Sequence, residues 1–130
     1  MNTTEISHKN MVSVLTKPGY EIKTQLTAKD CHHIHMAMGI AGEAGELLDA
    51  VKKNTMYRKP LDLTNIIEEL GDIEFYMEGL RASLGISRQE VLEANIVKLN
   101  KRYTAGYSDV AAIIRADKIV AKTGDDCDGK

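Results

Sequence analysis

The chain has 130 residues and a formal net charge of −2, from 17 Lys and Arg against 19 Asp and Glu. This length suits one domain, and the charge excludes a broad basic surface for nucleic acid. The sequence has no apolar run of the about 20 residues that span a membrane and no secretory signal pattern. Its two cysteines are too few for a disulfide framework, so we expect a cytoplasmic protein.

The first half of the chain predicts two helices separated by a turn. Residues 5–16 form a short helix, and Pro18-Gly19 is a turn signal. Thr27-x-x-Asp30 is a capping box that opens a long helix extending to Lys53. Apolar residues follow it at helical spacing: Ile34, Met38, Ala41, Leu48 and Val51. Three glycines in its middle allow close approach of another backbone or a ligand: Gly39, Gly42 and Gly45.

The second half predicts three more helices. Apolar residues between Leu63 and Leu84 recur in steps of three and four, which is typical of a helix–helix packing seam that Gly85 then ends. Ser87-x-x-Glu90 caps a helix running to Tyr103, and Ser108 caps a short helix running to Ile114. The aromatic content of 5% leaves an aliphatic core, which suits packed helices. We therefore predict an all-α bundle of four main helices and a short terminal one, with residues 1–122 as a single domain and 123–130 as an acidic disordered tail.

Two pairs of acids stand out from the apolar pattern. Glu43 and Glu46 share one side of the second predicted helix, and Glu69 and Asp72 repeat that spacing beside the seam of the third. Packing of these helices brings four carboxylates into one groove, where they need protons or cations. Oxygen ligands favour Mg²⁺ or Mn²⁺ over zinc. The alternative is that these are ordinary surface acids paired with lysines such as Lys52.

The helix after Ser87 carries a polar stripe. Asn95, Lys98 and Arg102 are spaced by three and four residues, so they lie on one side of the helix. Two cations and an amide in a row can bind a polyphosphate, with Lys as a point charge and Arg as a bidentate donor. The alternative is a solvated helix face.

Taken together, these motifs resemble the all-α nucleoside triphosphate pyrophosphohydrolases of the MazG-like family. Glu43-x-x-Glu46, 22 further residues, and Glu69-x-x-Asp72 match its E-x-x-E and E-x-x-D motifs in order. The stretch 95–117 is similar to the ends of small single-domain members, including phage-type ones. The resemblance covers residues 34–118 and implies an oligomer, a tetramer rather than a dimer, in the cytoplasm (of the host, for a phage protein).

The resemblance also implies a reaction. A (d)NTP is hydrolysed between its α- and β-phosphates, with Mg²⁺, or Mn²⁺ in its place, held by four acids: Glu43, Glu46, Glu69 and Asp72. Glu46 is our candidate for the general base, and Glu43 is the second candidate catalytic residue. Candidate substrate contacts are Asn95, Lys98, Arg102, Lys53 and His35. The base preference stays open, so a dUTP- or dCTP-specific enzyme is one alternative and a non-catalytic nucleotide- or protein-binding module is another.

Two further motifs suggest metals and are set aside. Cys31-His32-His33-x-His35 matches no zinc-finger spacing, so we expect partly exposed side chains or, for His32 and His35, an approach to the nucleobase. In Asp125-Asp126-x-Asp128 the glycine and the distal glutamate of a calcium loop are in the wrong places, so we expect a solvated tail.

Overall fold

A computed structural model describes residues 3–118, and within that range the chain is helical. The helices are α1 (Thr3–Leu15), α2 (Gly19–Gln25), α3 (Ala28–Thr55), α4 (Leu63–Leu84), α5 (Arg88–Arg102) and α6 (Asp109–Ile114), followed by a 3₁₀ turn at Ala116–Lys118. The extended pairing among the described residues is one isolated bridge between Thr104 and Gly106. The predicted all-α fold is confirmed. The expected tail at 123–130 and its acidic triplet lie outside the described residues.

Helix α2 is the element that the sequence analysis missed. Pro18 is its N-cap residue in an extended conformation, and Gly19 is its first residue rather than part of a simple turn. A helix of 7 residues is too short to show an apolar period. The described side chains of α1 are exposed, as are those of α2 except the half-buried Glu21.

The ends of α3, α4 and α5 follow the predicted signals. Thr27 and Asp30 form both hydrogen bonds of a capping box, and Ser87 and Glu90 do the same at the start of α5. The backbone N–H of Asn65 donates to the Asp62 carboxylate over 3.0 Å, in the first turn of α4. Gly85 follows α4 with a φ of 70°, in the left-handed region that glycine adopts without strain.

Helix α3 packs along α4, through a different face from the one that its apolar spacing suggested. Its buried or half-buried positions recur in steps of four and three and include an acid: Met36, Ile40, Glu43, Leu47 and Ala50. Ile34, Met38 and Leu48, which belong to the predicted series, are 45%, 68% and 67% exposed. Because α3 is apolar on two sides, periodicity alone could not decide which side meets α4.

The predicted seam of α4 is only partly covered. Ile66, Ile73, Met77 and Leu80 are half-buried, whereas Leu63, Leu70 and Leu84 are exposed. The buried residue of α4 is a charged one, Arg81, which donates to the Glu78 carboxylate over 2.6 and 3.1 Å. This ion pair gives the guanidinium the partner that burial of a charge requires.

The chain divides into two compact units, Met1–Leu84 and Gly85–Lys130. In the first, the paired helices α3 and α4 form a hairpin. In the second, α5 packs against the 3₁₀ turn, and the Ser108 hydroxyl accepts from the Ala111 N–H to cap α6 as predicted. The assignment of residues 1–122 to one domain stays a prediction.

Candidate metal and nucleotide site

Three carboxylates converge between α3 and α4. Oxygen atoms of Glu43, Glu69 and Asp72 all lie within 4.8 Å of one another. Glu43 and Glu69 are half-buried and Asp72 is exposed, so the group opens to solvent on one side. We call these three residues the acidic cluster. All its donors are carboxylate oxygens, which is the ligand chemistry of a hard divalent cation.

The acidic cluster is electrostatically unfavourable by itself. The pKa of Glu69 is raised, first by the desolvation of its carboxyl group and then by the negative charges of Glu46, Glu43 and Asp72. A hydrogen bond with Glu43 contributes in the same direction, because it favours the protonated form. Among the described residues, no member of the acidic cluster forms an ion pair with a basic side chain. Binding of a cation would relieve this repulsion.

Glu46, the fourth predicted ligand, lies beside the acidic cluster rather than within it. Its side chain is exposed, and its charge is near enough to raise the pKa of Glu69. The same charge also raises the pKa of Lys53, although the larger cause there is the Asp49 carboxylate. The structure thus brings three of the four predicted acids together and leaves Glu46 at the rim.

Two glycines allow the helices to approach closely enough to form the acidic cluster. A side chain at Gly39 would overlap the ring of Tyr76, and one at Gly79 would overlap the sulfur of Met36. Gly42 and Gly45 have open space where a side chain would begin. Of the three glycines that the sequence singled out in α3, Gly39 is therefore the one that close packing requires.

Aromatic side chains lie on the side of the acidic cluster toward the start of α3. The rings of His35 and Tyr76 meet edge to face with centroids 6.1 Å apart, and Phe75 meets Tyr76 at 5.3 Å. Nε2 of His32 lies 3.4 Å from the carbonyl oxygen of Gly79, while Nε2 of His33 is buried with no hydrogen-bond partner among the described residues. Cys31 is an exposed free thiol.

A cation lies on the opposite side, toward the end of α3. The Lys53 ammonium is 2.7 Å from the Asp49 carboxylate, and both side chains are about half exposed. An exposed pair of this kind contributes little to stability. Lys53 can therefore exchange its partner for a phosphate at small cost.

The remaining predicted contacts belong to the second unit. Asn95 and Lys98 are exposed on α5, next to Val91 and Leu92 in a shallow pocket. Arg102 is half-buried and donates through Nε and Nη2 to the two carboxylate oxygens of Asp117, over 2.6 and 2.9 Å. That bidentate pair lowers the pKa of Asp117 to about 2. Sequence reasoning missed Asp117, because a partner 15 residues along the chain leaves no spacing signal.

Comparison with known protein families assigns the chain to a known class. The model of the MazG nucleotide pyrophosphohydrolase domain matches residues 31–106, more than half of the chain. The protein therefore belongs to the MazG family, as the resemblance in its motifs predicted. No curated protein and no solved structure matches it. Over the described residues, no helix is both long and apolar enough to cross a membrane.

Proposed function

We propose that the protein is a Mg²⁺-dependent pyrophosphohydrolase that cleaves a (d)NTP between its α- and β-phosphates. The observation that carries this proposal is the convergence of Glu43, Glu69 and Asp72, in a chain of the MazG family. The products are a (d)NMP and pyrophosphate, so the activity serves nucleotide-pool control or housecleaning. A content of two cysteines suits the reducing cytoplasm.

The acidic cluster fits Mg²⁺, with Mn²⁺ as a substitute, because both ions prefer carboxylate oxygens. Bound there, the ion supplies neutralisation of triphosphate charge and lowers the pKa of the attacking water. Glu43, Glu69 and Asp72 hold the ion. Glu46 is exposed beside them and accepts the proton of the water as general base.

Five further residues are the proposed nucleotide contacts. His35 contacts the nucleobase, which is supported by its exposure and by its edge contact with Tyr76. Lys53 contacts phosphate after leaving Asp49. Asn95, Lys98 and Arg102 are retained as nucleotide contacts on the strength of their charge and spacing.

Pyrophosphate release tests the reaction. Canonical dNTPs and NTPs are each assayed with Mg²⁺ and with EDTA. The ranking of the nucleotides by their rate of pyrophosphate release reports the base preference. We expect Glu69→Gln to lower kcat/KM by at least about 100-fold, because it removes one ligand charge. Glu46→Gln should lower kcat and leave Mg²⁺ affinity nearly unchanged, because Glu46 lies outside the acidic cluster.

Glu68→Gln is the matched control for this experiment. Glu68 is the neighbour of Glu69 on α4, is exposed and lies outside the acidic cluster, so its replacement should leave turnover unchanged. If a folded wild-type protein releases pyrophosphate from none of the nucleotides, the proposed enzymatic activity is contradicted. The result would favour a non-catalytic nucleotide- or protein-binding module. Release from dUTP or dCTP alone would identify the narrower enzyme.

We also propose a homo-oligomer, a tetramer rather than a dimer. The support is the apolar surface that the hairpin leaves uncovered: Met38, Leu48, Ile67 and Phe75 are each 67–68% exposed. Patches of this kind mark association surfaces. Sedimentation equilibrium measures the mass in solution, and a monomer at micromolar concentration would contradict the proposal.

A further inference from the structure

A cationic pocket lies where α3 ends and α4 begins. Its volume is about 290 Å³, near the lower limit for small-ligand sites. Two lysines, one asparagine, one aspartate and two apolar residues line it: Lys53, Lys59, Asn65, Asp62, Ala50 and Pro60. Lys59 and Asn65 have no role in the reaction as described above. We call this the loop pocket.

The loop that carries Lys59 is fixed by its own hydrogen bonds. The Lys59 N–H donates to the Lys53 carbonyl oxygen over 3.2 Å, and the Asn54 side-chain amide donates to the Lys59 carbonyl oxygen over 2.8 Å. Arg58, immediately before it, has a φ of 54° that reverses the chain direction. Lys59 is therefore held at the pocket by the backbone on both sides, which reduces the entropy lost when it binds a ligand.

The charges of the loop pocket favour an anion. Two lysines and one aspartate line it, so the positive charges are in excess. The Asp62 carboxylate accepts from the Asn65 N–H over 3.0 Å, and its negative charge contributes to the raised pKa of Lys53, of which Asp49 is the larger cause. Lys53 has the exposed partner Asp49. Within residues 3–118, the Lys59 ammonium has no ion-pair partner. A lysine without an ion-pair partner and an asparagine that line one pocket are suited to phosphate oxygens.

The position of the loop pocket selects which part of a nucleotide it meets. Ala50 follows Glu46 by one helical turn, and Asn65 precedes Glu69 by one turn, so the pocket begins about 6 Å along the helices from these acids. The aromatic side chains of His35 and Tyr76 lie in the other direction along α3 and α4. A triphosphate held at the acidic cluster thus has an aromatic side for its base and a cationic side for its terminal phosphates.

We infer that the loop pocket binds the β,γ-diphosphate end of the substrate, with Lys59 and Asn65 as its contacts, and so fixes the direction in which the nucleotide lies on the hairpin. This inference rests on the proposed pyrophosphohydrolase activity. It predicts that the leaving group, pyrophosphate, is bound by the same residues, whereas a (d)NMP does not reach them.

Isothermal titration with inorganic pyrophosphate and Mg²⁺ tests the pocket without any turnover. We expect Lys59→Met to weaken binding at least about tenfold, since a hydrogen bond to a charged group is lost. Lys59→Arg should restore most of the affinity, and Asn65→Asp should weaken it by introducing a second carboxylate. The affinity for a (d)NMP should be the same in all four proteins. Lys59→Met should also raise KM for the triphosphate about tenfold.

Lys29→Met is the matched control, because Lys29 is an exposed lysine in the first turn of α3, at the other end of the helix. Its pyrophosphate affinity should equal that of the wild type. Equal affinity of Lys59→Met and wild type, no binding of pyrophosphate by the wild type, or an equal loss for (d)NMP would each overturn the inference. If pyrophosphate binding depends on Lys59 while no nucleotide is hydrolysed, the pocket stands as an anion site and the proposed activity fails.

Discussion

The carboxylates of the hairpin and the carboxylate of Asp117 have opposite environments. The pKa of Glu69 is raised, first by the desolvation of its carboxyl group and then by the like charges around it. Asp117 receives two hydrogen bonds from Arg102, which lowers its pKa to about 2. Arg102 is a counter-charge for Asp117, whereas among the described residues no basic side chain forms an ion pair with the acidic cluster.

This difference separates a structural acid from a candidate functional one. A paired carboxylate is stabilised by its own partner. A cluster of unpaired carboxylates destabilises the fold until a cation or proton binds, so its presence points to a role other than stability.

Removal of the metal should have the largest effect. At a Mg²⁺ concentration 100 times its dissociation constant, the wild type gains about 2.7 kcal/mol in free energy of unfolding. Glu43→Gln should lose this gain and be no less stable than the wild type in EDTA, because one repulsive charge is gone. Thermal unfolding with and without Mg²⁺ measures both. An unchanged Mg²⁺ shift in Glu43→Gln would show that the ion binds elsewhere.

The second largest effect on the free energy of unfolding should come from a substitution where α3 packs closely against α4. Gly39→Ala places a methyl group on the Tyr76 ring, and such overpacking costs about 1–3 kcal/mol. Gly45→Ala is the matched control: the new methyl meets open space, and replacement of a helical glycine by alanine stabilises by about 0.5–1 kcal/mol. Urea unfolding should show a lower free energy of unfolding for Gly39→Ala and a higher one for Gly45→Ala. A change in the same direction for both variants would contradict the packing of Gly39 against Tyr76.

The two capping boxes allow a smaller, unit-by-unit comparison. Thr27→Ala removes the cap of α3 in the first unit, and Ser87→Ala removes that of α5 in the second. Each should lower stability by about 1 kcal/mol. Amide hydrogen exchange locates the loss. We expect faster exchange in the first turn of the helix that lost its cap, and a response in the other helix alone would contradict the assignment.

The two regions should also respond to pH in opposite directions. The raised pKa of Glu69 means that the folded hairpin binds a proton more readily than the unfolded chain, so its stability increases as pH falls toward 4.5. The lowered pKa of Asp117 means that its stabilising contribution is complete above its ordinary value of 3.8 and is lost as pH falls toward about 2. Carboxyl chemical shifts measured against pH report each group. Equal titration midpoints for Glu69 and Asp117 would contradict the opposite pKa shifts of these two carboxyl groups.

Local signals in the sequence predicted the helices well. The capping residues Thr27, Ser87 and Ser108 fixed three helix starts, and Gly85 fixed the end of α4, because these effects depend on neighbouring residues alone. The acid pairs were visible for the same reason. The face of α3 that packs could not be predicted from the sequence, because it depends on which side of α3 fits against α4.

The site was predicted in part for a similar reason. The i, i+3 spacing identified all three members of the acidic cluster, but it also included Glu46, which the structure leaves at the rim. The pairing of Arg102 with Asp117 depends on how the chain folds back after α5, and the loop pocket depends on the φ of Arg58. Neither has a pattern in the sequence. The roles assigned to the site residues stay predictions until the assays above are made.

The contacts of Gly39 with Tyr76 and of Gly79 with Met36 also select the register of the hairpin. Each glycine on one helix meets a large side chain on the other, and a slip of one turn would move both pairs apart by about 5.4 Å. The same slip would carry Glu43 away from Glu69 and Asp72 and disperse the acidic cluster. Two residues without side chains thus fix the alignment of three that carry charge, so an error of register during folding would separate the candidate metal ligands even though every helix had formed.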